Sequence, residues 1–417
     1  MTAGAEIPVS VIVVSRGRPQ ALRRCIAGIA QSDHPLTELI VVTDTAGRSA
    51  VAETGHDRVI KTVPFEEANI AAARNAGVRA AAGEVCAFID DDSVPEPTWL
   101  SRLADAFARP QVMAAGGFVR GRNGISFQWR ARLVDRTGRD VALDVDPYRP
   151  SLHSPEPGRA VRTEGTNMAF RRHTLLEMGG FDPAFAFFMD ETDLNMRLSA
   201  MGQLTAIVPL AQVHHGFAAS ARRRDDRVPL DLYDIGASTA VYLRKHAPPS
   251  RHDMALERLR RHERRRLLTH MVYGRLEPGD VPRLMRGLEH GVADGLARRL
   301  TRFTPLTTAG LPFLQFDGVG PRPGRVIAGW SWQDRRLRAA ARAAVQRGAI
   351  VTVFRFSPTT LYHRHRFHRD GYWEQTGGLW GRSDRNGPLI RPQGFTARLR
   401  VEMARLSSLR PLDTMIH

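Results

Sequence analysis

Three consecutive carboxylates, Asp90-Asp91-Asp92, follow directly on the apolar run Val85-Cys86-Ala87-Phe88-Ile89. Adjacent negative charges repel one another, so such a run ordinarily lies in a solvated turn, and that reading stays open here. The run before it, apolar with β-branched and aromatic residues, has the texture of a buried strand. Carboxylates placed where a buried strand emerges sit at the edge at which open α/β sheets bind ligands. An oxygen-rich cluster there suits Mg²⁺ or Mn²⁺, which in turn clamps phosphate oxygens. The chemistry expected is a metal–diphosphate site. A second acidic group, Asp190-Glu191 with Asp193, precedes Leu194 and Leu198 on one helical face. Carboxylates crowding a first helical turn also satisfy the helix dipole, which is the plainer reading.

The elements that must position these groups alternate. Val9–Val14 reads as a first buried strand, followed by the loop Ser15-Arg16-Gly17-Arg18-Pro19 and a helix carrying Leu22, Ile26 and Ile29. Leu39–Val42 is a second strand ending at Thr43-Asp44, and Arg58–Val63 a third. The alanine-rich stretch 68–82 is helical and contains Arg74, Asn75 and Gly77. Strands alternating with helices at this spacing predict a parallel α/β sheet. Gly121–Pro157 is polar and weakly periodic and reads as loops. Leu204–Val208 is a strand followed by His214-His215. Beyond Ser220 the pattern turns helical and arginine-rich, over 231–246 and 254–273. Val326–Trp332, Arg335–Arg347 and Ile350–Phe356 then read as strand, helix, strand. The division expected is 1–220, 221–305 and 306–417.

A chain of 417 residues with 42% hydrophobic and 25% charged residues is globular in composition and long enough for two or three domains. No apolar stretch has the length of a membrane span, and no signal peptide is evident at the start. Cys25 and Cys86, both in apolar patterns, argue for a reducing compartment and against a cysteine-ligated zinc. A cytoplasmic location is expected. The net charge of +17 is uneven: residues 1–220 hold 23 Lys+Arg against 25 Asp+Glu, and 221–417 hold 37 against 18. So basic a second half suits an anionic membrane surface, a phosphorylated acceptor or nucleic acid. An arginine bias of the coding genome accounts for it equally well. Nucleic acid is disfavoured, because no nucleic-acid motif accompanies the charge. His363, His365 and His368 alternate with Arg364, Arg366 and Arg369, which would repel a metal, so a basic surface or anion pocket is expected there.

In this order and at these distances, the motifs of residues 8–217 resemble those of a bacterial family 2 glycosyltransferase with the GT-A nucleotide-sugar fold. The resemblance rests on Val9–Val14, Asp44, Ala73-Arg74-Asn75-Ala76-Gly77, the Asp90–Asp92 triplet, Gly165-Thr166-Asn167, Phe181-Asp182 and Asp190–Leu198. It implies a Rossmann-like mixed sheet flanked by helices, followed by the helical extension and a C-terminal α/β or irregular region. It implies an inverting transfer of sugar from a nucleotide-diphosphate donor to a carbohydrate or lipid-linked acceptor, in surface polysaccharide or glycolipid synthesis.

The roles follow position by position. Asp44 corresponds to the carboxylate that binds the nucleotide base, and Arg74 and Asn75 to a helix position near the nucleotide. Asp92 would ligate Mg²⁺ or Mn²⁺, with Asp90 or Asp91 holding the ribose or a metal-bound water. His215, in preference to His214, corresponds to an additional metal ligand in some relatives. Glu191 matches the catalytic base, although Asp is commoner there, so Asp190 stays as its alternative. Gly165, Thr166 and Asn167 would line the acceptor side. Capping for Asp44 and Asp190–Asp193, and structural roles for Arg74, Asn75 and the histidines, remain open beside these. Two other functions compete: a nucleotidyltransferase, for which the Ser15–Pro19 loop is a faint version of the required glycine-rich grip, and a non-catalytic polyanion-binding protein.

Overall fold

The computed structural model describes residues 7–216, 218–220, 222–300 and 303–416. Within them the strands are β1 (Val9–Ser15), β2 (Thr37–Thr43), β3 (Ile60–Pro64), β4 (Val85–Asp90), β5 (Ser93–Pro95), β6 (Val112–Arg120), β7 (Phe127–Trp129), β8 (Arg132–Asp135), β9 (Asp140–Ala142), β10 (Ser151–His153), β11 (Arg159–Arg162), β12 (Met168–Arg171), β13 (Leu204–His215), β14 (Gly324–Trp330), β15 (Ile350–Ser357), β16 (Arg364–Phe367), β17 (Trp373–Gly378) and β18 (Thr414–Ile416). The helices are α1 (Pro19–Ile29), α2 (Thr45–Ala52), α3 (Ile70–Ala80), α4 (Trp99–Ala106), α5 (Arg172–Glu177), α6 (Asp190–Ala200), α7 (Tyr233–His246), α8 (His252–Val272), α9 (Asp280–Ala297), α10 (Asp334–Gln346) and α11 (Phe395–Leu406).

The main sheet runs β10-β13-β6-β12-β4-β1-β2-β3, with β5 paired to β13 and β7 to β6. β4, β1, β2 and β3 are mutually parallel, while β12 lies antiparallel between β4 and β6. The expected Rossmann-like mixed sheet is therefore present. β1 and β4 are almost wholly buried, because helices cover both faces, which is why they read as continuous apolar runs rather than alternating ones. Parallel pairing brings the ends of β1, β2 and β4 to one edge, so Ser15, Asp44 and Asp90 converge although 75 positions separate the first from the last.

α3 lies close on this sheet because of Gly77: a Cβ there would stand 2.5 Å from Ile12 Cγ2. That close approach sets Arg74, one turn earlier, over the carboxyl edge. Gly121–Pro157, expected as loops, contains four short strands instead. β8 pairs with β9 and β11 in a three-stranded sheet. Runs of three or four residues are too short to show a period, which is why they escape a sequence reading.

Residues past 305 do not begin a separate unit at once. The segment 306–320 crosses the first domain, donating backbone N–H groups from Leu306 to Leu176 O, Ala309 to Arg79 O and Phe316 to Thr37 O, each at 2.8 Å. Phe316 is fully buried in the first domain's core. Residues 324–416 then build a second sheet, β16-β17-β15-β14-β18, in which β17, β15, β14 and β18 are parallel. α7, α8 and α9 lie between β13 and β14 in the chain.

Candidate active site

The acidic triplet divides its work. Asp90, at the end of β4, is part-exposed, with 31% of its side chain open. Asp92 is buried, and its Oδ1 lies 3.2 Å from His215 Nε2, while its Oδ2 accepts the Ala218 backbone N–H at 2.8 Å. Asp90, Asp92 and His215 bring one ligand atom each within 4.8 Å of one another. Burial pushes the Asp92 carboxyl up, but His215, Arg18 and the Ala218 amide together hold it well below the usual carboxylate range. His215 Nδ1 sits 3.1 Å from Gln128 Oε1 and its ring stacks on Trp129. The ring faces the Gln128 amide through Nδ1 and turns Nε2 toward Asp92 Oδ1. The chemistry of the donor set is the test of whether a cation suits this edge. Two carboxylates and an imidazole fit a divalent ion of the Mg²⁺–Mn²⁺ class, so the donor set passes that test.

Asp91 is a correction. It is buried and turned inward, accepting from Ser15 Oγ at 2.7 Å and pairing with Arg18 at 2.6 Å. Burial, only partly offset by Arg18, pushes it up to about 7. It fixes the loop after β1 rather than facing a ribose, because adjacent residues at a strand end point to opposite faces.

Asp44 caps α2 by accepting from Gly47 N at 2.9 Å, and its other oxygen accepts from Gly17 N at 2.7 Å. It thus pins the β1 loop at the rim of the same edge.

Arg74 ties two clusters together. Its guanidinium donates to Asp190 Oδ2 through one nitrogen, and through the other to Gly165 O at 3.0 Å and Asp90 Oδ1 at 3.5 Å. A Cβ on Gly165 would lie 2.8 Å from Arg74 NH2, so glycine is what admits the arginine there. Glu191 Oε1 accepts from Arg162 at 3.1 Å and Thr192 Oγ1 at 3.2 Å. Burial pushes both carboxyls up. Asp190, facing Glu191, ends at about 7, whereas Arg162 and Arg74 draw Glu191 below its ordinary value. The two share charge and titrate as a unit. α6 is entered through Phe188 and Met189, both at positive φ (73° and 66°), a costly conformation for side chains of that size. That left-handed step turns the acidic first turn toward Arg74.

Three further expectations are corrected. The Asn75 amide is used up on the Phe181 backbone, accepting its N–H at 2.8 Å and donating to its O at 2.7 Å. Asn167 is fully buried, donating to Phe118 O and Ala211 O and accepting from Trp99 Nε1. Thr166 is buried against Ser93 Oγ at 2.7 Å. Each spends its hydrogen bonds inside the fold, so of the acceptor trio only Gly165 reaches the Arg74 edge.

Sequence reasoning passed over Arg18, Gln128 and Arg162. Arg18 was findable, since it follows β1 directly onto the carboxyl edge; Gln128 and Arg162 lie on short strands with no local signal.

His363, His365 and His368 do not make a basic surface. His363 and His365 are buried, and His368 stacks on Tyr372. His365 joins His214 and Glu96 in a second carboxylate–histidine cluster, in which Arg410 donates to both Glu96 oxygens at 2.5 Å. A cavity of about 470 Å³ between α4, the 321–322 segment and residues 407–411 is lined in part by Arg410 of this second cluster and includes none of the residues of the Asp90 edge. Among the described residues no helix is long and apolar enough to cross a membrane.

Residues 10–177 match the model of the family Glycosyl transferase family 2. The O-antigen biosynthesis protein RfbC of Myxococcus xanthus is 28% identical over 240 residues, 53% of this chain and 18% of that protein. A glucosyl-dolichyl phosphate glucuronosyltransferase of Haloferax volcanii is 28% identical over 187 residues, 42% of this chain and 56% of that one. The chain thus spans less than two thirds of either relative. The mannosyltransferase of Pyrobaculum calidifontis, solved with GDP-Man and Mn²⁺, aligns at a TM-score of 0.42 and 19% identity, covering 70% of this chain and 87% of that chain. Over residues 10–177 the chain is thus similar to glycosyl transferase family 2.

Proposed function

We propose that the protein is a metal-dependent, inverting glycosyltransferase that moves a sugar from a nucleoside-diphosphate donor to an acceptor hydroxyl. The observation that carries this reading is Arg74, whose guanidinium joins the cation-binding carboxylate Asp90 to the acidic pair at Asp190. Donor and base chemistry are thereby held at one edge of one sheet.

Asp90, Asp92 and His215 would hold Mn²⁺ or Mg²⁺, which when bound offsets the charge gathering on the diphosphate. Asp44, at the rim of the same edge, would accept from the nucleotide base. The Asp190–Glu191 pair takes the proton from the acceptor hydroxyl, with Glu191 as the accepting member and Asp190 orienting Arg74. The acceptor oxygen bonds to the anomeric carbon as the bond to the diphosphate oxygen breaks, and the nucleoside diphosphate leaves with that electron pair. Asp91, through Arg18, keeps the β1 loop in place while this happens.

The two named relatives act in O-antigen biosynthesis and on a dolichyl phosphate glycan, which supports a lipid-linked or polysaccharide acceptor here. Work on such an acceptor would take place at the cytoplasmic face of a membrane.

A panel of nucleotide sugars and nucleoside triphosphates, assayed for nucleoside-diphosphate release with Mn²⁺, tests the reading. Wild type should turn over one sugar donor, with Asp92→Ala and Glu191→Gln each slower by about 10²–10⁴-fold. Equal rates in the variants, or turnover of triphosphates alone, would contradict it.

A further inference from the structure

The carboxyl ends of β15 and β17 carry two loops whose apolar residues point outward. Leu361 is 64% exposed, Tyr362 60%, Leu389 58%, Ile390 57% and Trp380 36%. Hydrogen bonds make one surface of them: Gly378 N donates to Leu361 O at 2.8 Å, His363 N to Arg382 O at 2.9 Å and Arg391 N to Trp380 O at 3.0 Å. Arg382 lies over the Tyr362 ring. Scattered exposed apolar residues need no explanation, but a contiguous group including Trp and Tyr marks an interaction site.

The outward aim is built in. Beneath the loops, buried His363 bonds Gly378 O at 2.9 Å through Nε2 and meets the Gln375 amide through Nδ1, while buried Ser383 donates to Glu402 at 2.5 Å. With the loop bases fastened to this polar network, the tips have no freedom to fold under and bury themselves.

The rim is basic. Arg364, Arg382, Arg385 and Arg391 stand in or beside the loops, and Asp384 is the acidic residue among them. Trp and Tyr beside aliphatic tips, ringed by arginine, is the composition of a surface seated at the headgroup level of a bilayer. A protein partner would be served by the apolar tips alone, whereas four arginines call for an anionic surface.

We propose that the loops 357–364 and 378–392 are a membrane-contacting tip that inserts Leu361, Trp380, Leu389 and Ile390 into the interface of an anionic bilayer. This rests on the lipid-linked acceptor reading above, and it places the contact on the C-terminal domain rather than on the arginine-rich α8. α8 supplies the internal control, since Val272 (79% exposed) and Tyr273 (69%) end its own basic face.

Flotation of the full chain with vesicles of phosphatidylcholine and phosphatidylglycerol (7:3), and of phosphatidylcholine alone, tests this. Wild type should float with the anionic vesicles and lose binding in 0.5 M salt. The double variant Leu389→Glu/Ile390→Glu should bind at least tenfold more weakly, and Val272→Glu/Tyr273→Glu as wild type. Release of nucleoside diphosphate from donor in solution should be unchanged in both, so failure of the catalytic reading stays distinguishable from failure of this one. Three results would overturn the proposal: no flotation of wild type, tip variants that float normally, or light scattering that shows a dimer broken by the tip variant.

Discussion

His214 and His215 are consecutive on β13, and each meets a carboxylate, yet the two clusters they enter have opposite characters. His215 faces Asp92 and Asp90 at an edge where Asp90 is part-exposed. His214 Nε2 donates to Glu96 Oε1 at 2.7 Å, with His365 and Trp373 closing the other side. Every member of that second cluster is buried, and Arg410, itself wholly inaccessible, already fills the place a cation would take. Burial and Arg410 keep His365 well below the usual imidazole range. The same residue types therefore meet at a part-open edge in one case and in a closed clamp in the other. What differs is access: Arg410 fills the space beside Glu96, whereas Arg18 and Arg223, 3.4 and 3.5 Å from Asp92 Oδ2, leave Asp90 part-exposed beside it.

Several measurements would break or sharpen this contrast. The largest effect belongs to Asp92→Ala, which should lower metal-dependent turnover by about 10³-fold or more while leaving the unfolding midpoint close to wild type. Glu96→Ala should do the reverse. It strands the Arg410 charge in the interior and should cost about 3–5 kcal/mol in urea unfolding, with Mn²⁺ affinity of the folded protein within about threefold of wild type. Gln128→Ala removes the partner that orients the His215 ring and should weaken Mn²⁺ binding by about tenfold in a calorimetric titration.

The smallest effect is one of pH. The Asp190–Glu191 pair takes up a proton as pH falls through about 7, the value of Asp190. That proton goes to Asp190 and breaks its ion pair with Arg74 while Glu191 stays ionised, so turnover should be level above that pH and fall below it as Arg74 loses its place. Asp190→Asn should move that limb; a limb unmoved would assign it elsewhere.

Much of the first domain was legible because its strands are buried on both faces, and such strands announce themselves as apolar runs. Asp90 was legible as the end of β4 for the same reason, whereas the strand expected at 204–208 runs on to His215 and carries that residue to the Asp92 carboxylate. Asn75, Thr166 and Asn167 were misread because polar residues in a motif look alike whether they face a ligand or tie the backbone. Only the partners distinguish them, such as the Phe181 backbone that takes both ends of the Asn75 amide. The clamp around Glu96 was illegible, since its members come from positions 96, 214, 365 and 410 and no local spacing links them.

One titration addresses the contrast most directly: Mn²⁺ binding followed by electron paramagnetic resonance in His215→Gln and His365→Gln beside wild type. The account predicts at least tenfold weaker binding in His215→Gln and no more than about twofold change in His365→Gln. Equal losses in both, or a loss confined to His365→Gln, would contradict it.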